Sequence, residues 1–419
     1  MSLQFITGNS GNGKTKYLFN RIVKEAKANP RDNYLVIVPE QFTMQTQRQL
    51  VDLSENKAIM NIDVLSFKRL AYRVFDELGI TNLTVLEETG KNLVLRKLAA
   101  QEADKLGVIG RNLNRIGYIS EVKSLLSELV QYNISPEELG RYIASGRLSD
   151  TLSDKLKDVL VLYEAFEKFM QDKYITAEEI LNVLSNVAEE SAILRNSVIA
   201  FDEFTGFTPI QNQLIKKLFV ISKKIYVTLT IDCREDIFKS RGMQELFDMP
   251  KRTVKSLTEM AAFYGIEVEE PIILDKNYRL AENEELSFME QQFFRKRRCS
   301  FKKVPKHIHI DCLRDPKQEL TKIARRINEL VRNENLRYRD IAIVTGDVNI
   351  YAGYVREIFD KYNIPYFIDA TQEILFHPFI EFIRSIPDIA AQNFSADAVF
   401  RFLRCGFSEL LDSEIDVLE

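Results

Sequence analysis

The sequence has few of the residues that bind metals through sulfur or imidazole. Its 419 residues include four cysteines and three histidines. No two cysteines have the C-x-x-C spacing, and no histidine lies at zinc-site spacing from a cysteine. We expect reduced, mostly buried thiols. The pattern therefore argues against a zinc site built from these residues: Cys233, Cys299, Cys312, Cys405, His307, His309 and His377.

Long apolar runs and a strong charge bias are also absent. No run of about 18 apolar residues occurs, so we expect no membrane span. The 57 basic and 61 acidic residues leave a net charge of −4, which argues against a polycation that coats nucleic acid but leaves room for a local basic groove. The chain enters an apolar strand directly after Met1-Ser2, without a signal sequence, which predicts a cytoplasmic protein.

The first motif is a glycine-rich loop between a predicted strand and a predicted helix. Residues 8–15 read G-N-S-G-N-G-K-T, which fits G-x-x-x-x-G-K-[ST] in full. Glycines let backbone N–H groups wrap a phosphate, and the helix N-terminus adds its dipole. We expect Lys14 to reach the β- and γ-phosphates of ATP and the Thr15 hydroxyl to bind Mg²⁺. The predicted nucleotide-binding residues are Gly8, Asn9, Ser10, Gly11, Asn12, Gly13, Lys14 and Thr15.

A second motif offers a carboxylate for the same magnesium ion. Residues 197–201 predict a buried strand, and Asp202 and Glu203 follow it directly. We expect Asp202 to hold the ion, directly or through water, and Glu203 to polarise the attacking water. Apolar strands that end in Asp-Glu are common, so this prediction depends on the glycine-rich loop.

Strands that alternate with helices predict an α/β fold with a parallel sheet. Strands are predicted at residues 3–7, 33–39, 197–201 and 224–231, and helical spacing dominates residues 91–190, which predicts a helical insertion. A second α/β unit is predicted from residue 275, with strands at 308–311, 341–345 and 365–368. The predicted domains are residues 1–90 and 191–274 together, the insertion 91–190, the second unit 275–390, and a further helical insertion that begins at 391–419.

The order of further segments resembles superfamily 1 helicases of the UvrD type, whose motor domains have a RecA-like P-loop fold. Residues 64–70 resemble the family's T-F-H-x-L segment, and residues 202–208 resemble D-E-F-Q-D-T. Residues 231–238 resemble G-D-x-x-Q-S-I-Y, and residues 274–279 resemble L-x-x-N-Y-R-S. The resemblance implies that Arg279 contacts the γ-phosphate and that residues 308–369 belong to a second motor domain.

The departures from that pattern narrow the resemblance. No glutamine-bearing segment for adenine precedes the first strand, and Thr205 and Gly206 replace a glutamine and an aspartate. Ile231 replaces the glycine and Glu235 the glutamine that couple the γ-phosphate to DNA in the family. A degraded motor with an intact P-loop near the N-terminus is similar to the AddB (RexB) family, the second subunits of bacterial AddAB helicase-nucleases.

That resemblance implies a protein that processes double-strand DNA ends for recombinational repair. An AddA-type partner would supply the working motor, while the AddB part would hold DNA and recognise a recombination hotspot sequence. ATP and Mg²⁺ would bind at the P-loop. The family's nuclease domain and its iron–sulfur cluster would lie beyond residue 419.

Several residues are candidates for DNA contact. Residues 295–306 contain seven cations and no acid, which could neutralise phosphates or could form a solvated linker. Phe67 lies where the family contacts single-stranded bases, but an ordinary core phenylalanine explains it as well. The predicted DNA-binding residues are Phe67, Gln41, Thr43, Arg297, Arg298 and Lys302.

Three functional hypotheses stay open at this point. The first is a DNA-processing subunit that is enzymatic only within its complex. The second is a self-sufficient ATP-driven DNA translocase, against which the replacements Ile231 and Glu235 argue. The third is a non-catalytic scaffold with a vestigial P-loop.

Overall fold

A computed structural model of the chain describes residues 1–81, 84–108, 116–146, 148–170, 174–176, 178–295, 299–370 and 374–419. These residues form two compact units, Met1–His307 and Ile308–Glu419. Residues 275–307, which the sequence assigned to a second unit, belong to the first one in the structure.

The first unit is built on a parallel sheet, as the alternating pattern predicted. Seven strands form it in the order β3-β2-β6-β7-β1-β8, and β9 also pairs with β1. Every pair among the described strands is parallel, and β4 and β5 form a separate two-stranded sheet. The strands are β1 (Ser2–Gly8), β2 (Tyr34–Ile37), β3 (Ile62–Leu65), β4 (Val85–Leu86), β5 (Ile175–Thr176), β6 (Val198–Phe201), β7 (Lys224–Thr230), β8 (Glu267–Val268) and β9 (Ile272–Leu274).

The helices of the first unit cover both faces of this sheet and carry the insertion. They are α1 (Lys14–Ala28), α2 (Thr43–Leu53), α3 (Phe67–Leu78), α4 (Glu88–Gln101), α5 (Ile116–Gln131), α6 (Pro136–Ala144), α7 (Asp150–Met170), α8 (Ile180–Val187), α9 (Pro209–Ile221), α10 (Asp248–Phe263) and α11 (Glu284–Gln292).

The central strands read as continuous apolar runs because both of their faces are buried. Leu3 and Phe5 of β1 point into a core with α3, α8, α9 and α10. Ile6 points to the opposite face, into a core with α1 and α2. Helices on both faces of a parallel sheet make a three-layer α/β unit.

The helical insertion has a core of its own. Side chains of α4, α5, α6 and α7 pack together there, with Leu95, Val122 and Phe166 among the buried residues. Helix α8 instead packs against α3 and α9, and its Leu184 lies in the core of the sheet. The helical part of residues 91–190 therefore contributes to two cores.

The second unit is helical where the structure describes it. Its helices α12 (Pro316–Asn333) and α13 (Val348–Lys361) enclose a small core around Leu320 and Phe359. Three further helices follow in the chain: α14 (Pro378–Ala391), α15 (Ala396–Leu403) and α16 (Asp412–Leu418). The strands predicted at 308–311, 341–345 and 365–368 were wrong, because none of these described segments forms strand structure. A strand exists only through backbone hydrogen bonds to a neighbour, and an apolar pattern alone does not provide one.

Candidate nucleotide-binding site

The glycine-rich loop lies between β1 and α1, where the chain must turn sharply. Gly11 and Gly13 adopt the left-handed backbone region, with φ of 89° and 79°. A Cβ on Gly11 would lie 2.8 Å from both Arg279 Cβ and Asn277 Oδ1. The loop therefore requires glycine for its conformation at both positions and for space at Gly11.

Lys14 is the first residue of α1 and points back over the loop. Its ammonium donates hydrogen bonds to the carbonyl oxygens of Gly8 and Asn9, each at 3.0 Å. Burial lowers the pKa of Lys14, while the nearby carboxylates of Asp202 and Glu203 act in the opposite direction. The ammonium thus occupies the centre of a loop that suits a phosphate.

Asp202 follows β6 and is almost fully buried. Its Oδ1 accepts a hydrogen bond from the Thr228 hydroxyl, and its Oδ2 has no partner among the described residues. Burial raises the pKa of the Asp202 carboxyl. An orphaned buried carboxylate oxygen is an unsatisfied ligand position, and the Thr15 hydroxyl lies at the same cleft. These residues fit a hard cation such as Mg²⁺, which takes oxygen ligands.

Glu203 comes next in the chain and faces solvent. It has a φ of 63°, in the left-handed region that non-glycine residues seldom adopt. Its Oε1 lies 3.4 Å from the Thr15 hydroxyl, the outer limit of a hydrogen bond. The turn after β6 therefore buries Asp202 and leaves the Glu203 carboxylate in the cleft.

The segment around Arg279 closes the other side of the loop. The Tyr278 N–H donates to the carbonyl oxygen of Gly11 at 3.0 Å, and the Asn277 amide donates to that of Ser10 at 3.0 Å. The Arg279 guanidinium lies 3.4 Å from the Ser10 hydroxyl. The structure thus brings Arg279 to the glycine-rich loop, although Arg279 and Ser10 are 269 positions apart in the chain.

These groups surround one cleft of about 770 Å³, a size typical of small-molecule sites. Among its lining residues are all of the following sequence-predicted ones: Ser10, Gly11, Gly13, Lys14, Thr15, Asp202, Glu203 and Arg279.

A buried ion cluster beside the cleft was not foreseen from the sequence. Asp232, which follows β7, is 1% exposed and accepts hydrogen bonds from Arg234 and Arg295 at 2.6 and 2.7 Å. Burial acts to raise the pKa of Asp232, but the hydrogen bonds and charges of the two arginines outweigh it and lower that pKa to about 2. Arg295 and Asp232 lie 63 residues apart, so no local pattern pairs them.

The same region is bonded directly to the glycine-rich loop. The Asn9 side chain accepts a hydrogen bond from the Cys233 N–H at 3.0 Å. It also donates to Glu290 Oε1 on α11 at 2.6 Å. Asn9 therefore holds its loop to the segment after β7 and to α11.

The comparison with known proteins decides the family. A family model described as "ADDB, N-terminal" matches residues 5–290. The chain belongs to the AddB family. The whole chain is 38% identical over 424 residues to the B subunit of the ATP-dependent helicase/deoxyribonuclease of Lachnoclostridium phytofermentans, of which it covers 37%. Relatives of the same name from Clostridium tetani and Caldanaerobacter subterraneus subsp. tengcongensis are 33% and 34% identical over 428 and 422 residues, and the chain covers 37% and 36% of them.

The structure of this AddB-family chain buries two of the residues that were predicted to contact DNA. Phe67 is 7% exposed. Its ring packs in the core of the unit, against the rings of Phe201, Phe204 and Phe207. Thr43 is also buried, and its hydroxyl donates to the carbonyl oxygen of Glu40. Helices α3 and α2 pack these two side chains against the unit, and the DNA contacts of Phe67 and Thr43 stay predictions.

The remaining candidates are exposed or lie outside the described residues. Gln41 and Lys302 face solvent. Arg297 and Arg298 lie outside the described residues. Arg295, the first cation of residues 295–306, is held by Asp232, and Lys303 pairs with Glu284.

The cysteines and helices bear on two further expectations. None of the four cysteines is buried, contrary to prediction: Cys299 and Cys312 are exposed, and Cys233 and Cys405 are partly exposed. Within the described ranges, no group of three or more Cys, His, Asp or Glu could hold a metal. In the same ranges, no helix is long and apolar enough to cross a membrane.

Proposed function

We propose that this AddB-family chain is the helicase-like, ATP-binding N-terminal portion of the second subunit of an ATP-dependent helicase/deoxyribonuclease. The intact cytoplasmic protein would process double-strand DNA ends for recombinational repair, with an AddA-type subunit as its partner. Its own motor would be degraded and would serve to hold DNA and recognise a hotspot sequence. Relatives that carry the enzyme name over the full length of the chain support this proposal.

The single observation that carries the nucleotide site is the orphaned Oδ2 of Asp202 in the cleft that holds Lys14 and Thr15. Strand order supports a RecA-like arrangement, because β7 lies between the loop-bearing β1 and the acid-bearing β6. In parallel α/β sheets ligands bind at the carboxyl ends of the strands, where all three residues lie.

Each residue would have a separate task when ATP binds. Lys14 would exchange the two loop carbonyls for the β- and γ-phosphates, and Arg279 would neutralise the γ-phosphate. Thr15 and Asp202 would hold Mg²⁺, which supplies charge neutralisation between the phosphates. Glu203 would orient and polarise water at the γ-phosphate.

One ion pair and one buried side chain support a degraded motor. Glu235, at the position of the family's coupling glutamine, forms an ion pair of 2.7 Å with Lys251, whose side chain is 4% exposed. Ile231, at the position of the coupling glycine, is fully buried in the core of the sheet. Lys251 has a second carboxylate partner, Glu245, at 3.1 Å. If Glu235 left to sense a phosphate, the buried ammonium would keep one of its two carboxylates, and this loss carries an energetic cost.

One assay separates the three functional hypotheses. ATP turnover and DNA binding are measured on the full-length protein, with and without its partner and with and without single-stranded DNA. We expect DNA binding without DNA-stimulated turnover when the partner is absent. Strong DNA-stimulated turnover without the partner would favour the translocase, and absence of both activities would favour the scaffold.

A further inference from the structure

The cleft at the glycine-rich loop has lining residues beyond those that suit phosphate and magnesium. Lys14, Thr15, Asp202 and Arg279 supply the cationic and oxygen groups for a triphosphate and its metal ion. The cleft has a volume of about 770 Å³, which is in the range that holds a whole small molecule such as a nucleotide. The remaining lining residues therefore decide which base a bound nucleotide can carry.

One side of α2 forms a wall of this cleft next to the first turn of α1. Gln49, Asp52 and Leu53 of α2 line the cleft, and they are three and four residues apart, so helical periodicity places them on one side of the helix. Leu50 is fully buried in the same core as Phe19 of α1, which also lines the cleft. The packing of α2 on α1 thus fixes where this wall lies.

Gln49 has the chemistry to recognise the edge of a base. It is exposed, and it carries the one side-chain amide among the described residues that line the cleft. Within the described part of the chain, no hydrogen bond engages this amide. An amide offers a donor and an acceptor together, and adenine presents an exocyclic amino group beside a ring nitrogen that accepts. Glutamine therefore pairs with adenine through two hydrogen bonds.

We propose that Gln49 binds the base of ATP: its amide oxygen accepts from the exocyclic amino group of adenine, and its amide N–H donates to the adjacent ring nitrogen. This inference rests on the proposed function and adds to it the residue that recognises the base. Lys14 and Arg279 would contact phosphates, which all nucleoside triphosphates share. Selection of the base therefore needs a group outside the phosphate part of the cleft.

The test uses three probes that each carry three linked phosphates. They are ATP, purine riboside triphosphate, which lacks only the exocyclic amino group, and inorganic tripolyphosphate. The variant is Gln49→Ala, and the matched control is Gln47→Ala, since Gln47 is exposed on the same helix but does not line the cleft. Affinities are measured by calorimetry on the full-length protein without its partner, because the partner would add a motor of its own.

We expect the wild type to bind ATP about 2- to 10-fold more tightly than purine riboside triphosphate, which is the effect of one neutral hydrogen bond. Gln49→Ala should bind ATP about 5- to 100-fold more weakly, because two hydrogen bonds are lost. It should bind ATP and purine riboside triphosphate equally, and tripolyphosphate as the wild type does. Gln47→Ala should match the wild type with all three probes.

Four results would overturn the inference. Gln49→Ala keeps the preference for ATP over purine riboside triphosphate, or the wild type has no such preference. Gln49→Ala loses affinity for tripolyphosphate as much as for ATP, which would mean that the amide acts on the phosphates or on the fold. The wild type binds GTP more tightly than ATP, which would assign the base to Asp52, whose carboxylate offers acceptors alone. If the wild type binds none of the probes, the proposed nucleotide site itself fails.

Discussion

Replacing Asp232 by asparagine removes a buried negative charge that two arginines share. The Asp232 side chain is 1% exposed, and the side chain of its ion-pair partner Arg295 is 15% exposed. Arg234 is about half exposed, so water weakens its part of the attraction. Removal of the carboxylate therefore leaves Arg295 as the group with an uncompensated buried charge.

The lowered pKa gives the size of the effect. A fall from the ordinary value of 3.8 to about 2 corresponds to about 2–3 kcal/mol of extra stability for the ionised form in the folded state. Water at Arg234 and one hydrogen bond kept by the asparagine reduce the loss, whereas the stranded Arg295 adds to it. We expect Asp232→Asn to lower the free energy of unfolding of the first unit by about 2–3 kcal/mol at pH 7.

The pH dependence has a defined sign. Because the folded state lowers the pKa of Asp232, its stabilisation is fully present above about pH 4 and is lost as the pH falls towards 2. The difference in stability between wild type and variant should therefore narrow below pH 4.

Urea unfolding followed by circular dichroism, from pH 7 to pH 3, measures both quantities. The control is Asp236→Asn, since Asp236 pairs with Lys239 in solvent and such an exposed pair contributes little to stability. If Asp232→Asn had the same free energy of unfolding as Asp236→Asn, the ion cluster would not stabilise the first unit.

Three further predictions concern the nucleotide site and the DNA contact. Lys14→Ala should weaken ATP binding at least about 100-fold in calorimetry, because two charge-assisted hydrogen bonds to phosphate would be lost. Lys24 is exposed on the same helix, and the control Lys24→Ala should bind ATP normally. Equal affinities of the Lys14 variant and the wild type would exclude this loop as the site. Glu235→Gln should lower stability by about 1–3 kcal/mol without raising ATP turnover, since buried Lys251 loses one of its carboxylates; a gain in DNA-stimulated turnover would contradict the degraded motor. Neutralising Arg297, Arg298 and Lys302 together should weaken DNA binding. It should also flatten the plot of log affinity against log salt by about 0.7–0.9 per lost phosphate contact. An unchanged slope would mean that residues 295–306 form a solvated linker.

Local sequence predicted the elements whose cause is local or repetitive. The strands predicted at 3–7, 33–39, 197–201 and 224–231 were confirmed, because a strand buried on both faces needs a continuous apolar run. The glycine-rich loop was placed correctly between β1 and α1, since its backbone conformation depends on glycine itself. The carboxylate of Asp202 followed from its place at the end of such a strand.

Pattern reasoning failed where a residue's role depends on what lies opposite it. The burial of Phe67 depends on three phenylalanines from residues 201–207, which lie far from it in the chain. The apolar segments in the second unit satisfy strand patterning, yet none of the described ones has a hydrogen-bonded neighbour. Burial and strand pairing are properties of two surfaces, and a one-dimensional pattern describes only one of them.

The sequence by itself determined the parallel α/β unit, the glycine-rich loop and the carboxylate of Asp202, because each is specified by residues adjacent in the chain. Only the tertiary structure decided that Arg279 and Asn277 close over the loop and that Arg295 serves Asp232. It also decided that Phe67 is buried. The contacts of Arg279, Asn277 and Arg295 join residues 63 to 269 positions apart, and they form only when folding brings separate elements together.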